Sequence, residues 1–61
     1  MKTEITILNK FEAAMHVYVD NNDQYSFMHC QILEADGYDM LNNGCVEDGK
    51  EYTIYGKIIN I

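Results

Sequence analysis

Four side chains in this sequence have the chemistry to bind a transition metal or to act as a nucleophile and its base: His16, His29, Cys30 and Cys45. Structural zinc sites present their thiolates and imidazoles in short paired spacings such as Cys-x-x-Cys, and no such pair occurs here. His29 and Cys30 are adjacent, which in a strand sends them to opposite faces, away from any shared ion. A metal site is not expected. The thiols enclose a loop of about fifteen residues, and a disulfide there is worth ~3 kcal/mol in the chain-entropy view. With no export signal to imply an oxidising compartment, the expectation is instead two unpaired thiols, since free cysteine is among the most buried residue types.

Other constellations are weaker still. Asp20, Asn22 and Gln24 offer oxygens at alternate positions, but the glycine and the twelfth-position glutamate of a calcium loop are missing. The single serine, Ser26, lies outside any Gly-x-Ser-x-Gly elbow, and no oxyanion hole is marked near a Cys–His pair. Gly37, Gly44, Gly49 and Gly56 are scattered turn glycines and form no phosphate-binding loop. The chain is read as a non-enzyme without cofactors.

Charge and tyrosine carry more information. Ten acids face four lysines and no arginine, a net charge of −6. Proteins that grip phosphates need a cationic face, and arginine is the usual reader of base edges, so direct nucleic-acid binding is excluded. Eight of the ten acids and one of the four lysines fall in residues 20–51, leaving the rest of the chain close to neutral. A net charge of this size is ordinary for the solubility of a small domain, but its clustering points to an anionic surface that meets a basic partner. Five tyrosines (Tyr18, Tyr25, Tyr38, Tyr52 and Tyr55) are heavy use for this length. Small β proteins need aromatics for a core, and Tyr52 is assigned there. Tyr18, Tyr25 and Tyr38 lie on or beside the acidic segment, where tyrosine supplies large contact area at low entropy cost.

The elements that must position these groups follow from periodicity. At 61 residues the chain is one domain, residues 1–61, with 48% apolar residues and no run long enough to span a membrane. Such a chain gains only a few kcal/mol from its own core and benefits from a partner or a copy of itself. Its first residues lack a signal-peptide pattern, so a cytoplasmic location is expected, the host cytoplasm if the chain is phage-encoded.

Residues 4–8 alternate and predict a strand with Ile5 and Ile7 on one face. Asn9-Lys10-Phe11-Glu12 has the shape of a capping box, yet the alternation of Met15, Val17 and Val19 favours a strand over 14–19. Asn21-Asn22 is read as a two-residue hairpin turn into a further strand over 24–33, which would bring His16 and His29 close on one face. Both faces of that hairpin carry bulky groups, so one can be core and the other a binding surface. Tyr38–Asn43 is read as a helical turn ended by Gly44. Asp48-Gly49 is read as a hairpin turn into a last strand over 50–60, bent at Gly56. The fold class is mainly β, a small antiparallel sheet or open barrel of four to five strands with at most one short helix.

Two functional readings result. The first is a non-enzymatic acidic inhibitor or decoy, with carboxylates standing in for phosphates, directed at a basic nucleic-acid-handling protein such as a nuclease or defence effector. In size and charge the chain resembles the small acidic proteins that phages make to block host nucleases, restriction systems, CRISPR effectors or repair enzymes, a resemblance of class that no residue motif carries. Its candidate partner-binding residues are Asp20, Asp23, Tyr25, Glu34, Asp36, Asp39, Glu47 and Asp48. The second reading is a small self-associating structural or adaptor module, such as a homodimer, using the apolar stretch Ile58-Ile59-Asn60-Ile61.

Overall fold

The computed structural model describes residues 1–61 as four antiparallel strands in one open sheet with a single helix. The strands are β1 (Lys2–Ile7), β2 (Glu12–Asp20), β3 (Asp39–Glu47) and β4 (Lys50–Asn60); helix α1 (Ser26–Ala35) joins β2 to β3. Strand order is β1-β2-β4-β3, so β2 and β4 are central while β1 and β3 form the edges. We call the end where β1 begins and the β3–β4 turn lies the upper end. The lower end carries the β1–β2 turn and the last residues of β4.

The β1–β2 connection uses the expected capping-box side chains for a different purpose. Asn9 Oδ1 accepts from the backbone N–H groups of Phe11 and Glu12 at 2.8 and 3.0 Å, and Asn9 Nδ2 donates to Glu12 Oε1 at 3.1 Å. The result is an Asx-type turn that feeds a strand, not a helix. At the β3–β4 turn, Asp48 and Gly49 both take positive φ (52° and 75°), the backbone of a type I′ hairpin turn.

The segment after β2 corrects the expected hairpin. Asp20 Oδ1 accepts from the Asn22 N–H and Asp23 Oδ1 from the Tyr25 N–H, at 2.9 and 2.8 Å. These side-chain caps wind the backbone into turns that lead to α1 rather than into a strand over 24–33. Helical periodicity then turns Cys30 and Leu33 toward the sheet, and β2 pairs with β1 and β4 instead. Residues 38–43 are likewise not a helical turn: all but Tyr38 belong to β3. Gly44, at φ 92°, sits in one of two register shifts of β3, between Asn43 and Cys45. The irregularity expected at Gly56 therefore lies in the neighbouring strand.

The sheet has two unlike faces. On the helix side, Val17 pairs with Tyr55 and Val19 with Thr53, and Leu33 closes over them. Val17, Val19, Leu33 and Tyr55 make the core, with Cys30 and Tyr38 packed against it. Tyr55 is fully buried, whereas Tyr52, the expected core tyrosine, is half-buried on the other face. Only seven of the 61 residues are buried, so this core is small even for the chain's size. No element covers the second face, where Ala14, His16, Tyr18, Tyr52 and Ile54 shelter one another only in part. No helix is long and apolar enough to cross a membrane.

Candidate functional site

The open face at the upper end brings tyrosines and charges together. Register places Lys2 opposite Tyr18 and Asp20 opposite Tyr52, with Cys45 beyond Tyr52 on β3. The Tyr18 and Tyr52 rings meet edge to face, centroids 6.0 Å apart at 87°. Edge-to-face packing sets the positive ring edge against the negative face, which fixes both rings without covering them. Lys2 Nζ lies 4.7 Å from the Tyr18 centroid and donates to Glu47 Oε1 at 3.3 Å. A contact between the outermost strands β1 and β3 thus spans this end of the sheet.

The local charges adjust one another. The hydrogen bond to Glu47 holds the Lys2 ammonium above its ordinary value, and the Glu4 carboxylate pushes the Tyr18 phenol up. Beside this pair Met1, Lys2, Tyr18, Asp20, Asp23 and Tyr52 line a shallow depression of about 220 Å³. Asp20 and Asp23 each spend one carboxylate oxygen on a backbone N–H in the turn. Both remain acceptor-only groups with a second oxygen for a partner.

The seven acids and one tyrosine expected to bind a partner fall into two groups. Asp20, Asp23 and Tyr25 at the start of α1, with Glu47 and Asp48 at the β3–β4 turn, belong to the upper end. Glu34, Asp36 and Asp39 lie at the far end of α1, ten residues or about 15 Å away along the helix axis. Glu34 is exposed but spends one carboxylate oxygen on the core, accepting from the Tyr55 hydroxyl at 2.5 Å. Burial first, then the hydrogen bond to Glu34 and the nearby Cys30 thiol, raise the Tyr55 phenol well above its ordinary value. Asp36 offers its backbone carbonyl to Lys57 Nζ at 2.7 Å.

Neither Tyr18 nor Tyr52 is among the residues expected in the site, although its acidic neighbours mark Tyr18. Tyr52 was hidden by the strand's parity: it shares a face with Ile54 and Ile58, which read equally well as core. A second groove on the same face, about 180 Å³, is lined by Ala14, His16, Asp39, Leu41, Gly56 and Ile58. It exists because Gly56 lacks a Cβ, which would stand 2.5 Å from Leu41 Cδ1.

The expected proximity of His16 and His29 is not found. His16 lies on the open face, whereas His29 lies on α1 across the sheet. Cys30 and Cys45 are free thiols, separated in the same way: Cys30 packs on the core and Cys45 pairs with Tyr52. No group of three or more His, Cys, Asp or Glu side chains is placed to hold a metal ion. No protein-family model, no curated protein and no solved structure matches this chain.

Proposed function

We propose that this protein is a non-enzymatic inhibitor or decoy that binds a basic, nucleic-acid-handling protein, such as a nuclease or defence effector, and occupies its phosphate-binding surface. The observation that carries this reading is the Tyr18–Tyr52 pair on an uncovered sheet face, beside Asp20, Asp23 and Glu47. Interfaces concentrate their energy in aromatic anchors that lose water on docking, with charged groups at the margin setting partner choice and encounter rate. Here the tyrosines are the anchors. The carboxylates supply the anionic oxygens that a phosphate-binding surface is built to meet. A net charge of −6 steers such a partner from a distance, and that steering weakens as salt rises.

The test is affinity capture from a lysate of the source organism or its host at low and high salt, with and without competing DNA. Recovery of a basic nuclease, polymerase or repressor that salt and DNA both release supports the reading and supplies the target. Capture that neither salt nor DNA disturbs, or recovery of this chain alone, contradicts it.

A further inference from the structure

A second uncovered surface lies at the lower end of the helix-bearing face. Helix α1 spans about 15 Å, whereas the eleven residues of β4 run for about 36 Å, so the helix covers only part of the sheet. Below it, register sets Ile7 of β1 beside the buried Ala13 of β2 and the half-buried Ile59 of β4, with Ile5 one step above Ile7. Ile61 continues the patch, its backbone N–H donating to the Phe11 carbonyl at 2.9 Å. Ile5, Ile7, Phe11 and Ile61 are 58%, 65%, 73% and 68% exposed. Together they present on the order of 500 Å² of apolar surface, near the top of the range for the largest patch on a monomer.

We infer that this patch is the contact between two copies of the chain, which pair lower end to lower end as a homodimer. Charge selects the occupant. Strand parity sends Glu4 and Glu12 to the opposite face, so the patch carries no side-chain carboxylate, and the nearest charged side chain of β4 on its face is Lys57. Residues 20–51 hold eight acids against one lysine, five of them (Asp20, Asp23, Glu47, Asp48 and Glu51) at the upper end and three (Glu34, Asp36 and Asp39) at the far end of α1. The molecule is 37 Å long, so two copies joined at their lower ends hold their acidic ends several Debye lengths apart. A basic partner gains nothing electrostatic here, which leaves the acidic upper end for it. Area fits a weak pairing: about 500 Å² from each copy makes roughly 1,000 Å² in all, at the low end for a specific interface. A core of five buried apolar side chains also gains from a copy that supplies the missing layer.

This inference is independent of the inhibitor reading. It is tested by sedimentation of the full chain from about 1 μM to about 1 mM, at low and high salt. A monomer–dimer equilibrium that high salt leaves intact or strengthens is expected, because apolar burial is not screened. Phe11→Asp and Ile7→Asp should each weaken it about tenfold or more. Lys50→Gln, at the upper end, should leave it unchanged. Where Ile7→Asp loses the native circular dichroism spectrum, Phe11→Asp in the exposed turn decides. A monomer at every concentration, a dimer indifferent to Phe11→Asp, or one dissolved by salt overturns the inference.

Discussion

The upper and lower ends of this small sheet satisfy their chain in opposite ways. At the upper end, polar side chains do the closing. The buried Thr53 hydroxyl donates to Asn21 Oδ1 at 2.7 Å, Asn21 Nδ2 donates to Glu51 Oε1 at 3.1 Å, and Asp20 and Asp23 cap the turns. Helix α1 then seals the core through Leu33. At the lower end Asn9 caps one turn, and beyond it lie isoleucines and Phe11 with nothing over them. Five acids (Asp20, Asp23, Glu47, Asp48 and Glu51) gather at the upper end, where Met1, Phe27 and Val46 are also bare, and three more lie at the far end of α1. The lower end differs in presenting isoleucines and Phe11 with few carboxylates beside them. The two ends therefore suit two kinds of contact, one screened by salt and one not.

Four perturbations separate the two ends. The largest effect belongs to the core: Leu33→Ala should cost about 2–5 kcal/mol, read from urea unfolding of dilute protein. Ile7→Ala, truncating an exposed side chain, should stay within about 0.5 kcal/mol under the same conditions. Equal losses would erase the distinction between the ends. Next comes the pair of reversals Asp20→Lys with Asp23→Lys, which should weaken capture of a basic partner about tenfold or more. Asp36→Lys with Asp39→Lys, beyond the far end of α1, should change it little. The reverse ranking would move the site to that end of the helix.

The third effect depends on pH. Because the folded protein raises the Tyr55 phenol, the unfolded chain ionises first as pH climbs past the ordinary tyrosine value near 10. The stability linked to this group is complete below that pH and declines above it. Thermal melts between pH 8 and pH 11 should therefore fall more steeply for the wild type than for Tyr55→Phe, about these tyrosine values. Parallel curves would show that Tyr55 is not held neutral. The smallest effect is Gly56→Ala. Leu41, which the new Cβ would meet, is exposed and swings aside, so stability should shift by no more than about 0.5 kcal/mol. The groove beside His16 should shrink, visible as a change in the His16 ring resonances by NMR.

Much of the sheet was legible in the chain. Alternation marked β1, β2 and β4, and Asp48-Gly49 marked the turn between β3 and β4. The two-sided character of β2 also holds, with Val17 and Val19 inward and His16 and Tyr18 outward. Helix α1 was not legible, because Tyr25, Phe27 and Ile32 lend the segment strand propensity. Its state is settled by the Asp23 side chain, which turns the backbone at Tyr25 ahead of the first helical residue, and by Cys30 and Leu33 landing on the sheet, and the latter is a tertiary matter. β3 was obscured by Gly44, whose positive φ serves a strand irregularity as well as a helix end. The acids were legible as residues, but their division into two groups needed the length of α1 to be known. Tyr52 and Tyr55 could be assigned to opposite faces from parity alone, but only the helix decides which face is core.

The most direct test is the salt dependence of binding between this protein and the purified basic protein it captures. Affinity should fall steadily with rising salt, with a shallower slope once Asp20→Lys and Asp23→Lys are introduced. An affinity independent of salt, or a slope that the two reversals leave unchanged, would contradict the inhibitor reading.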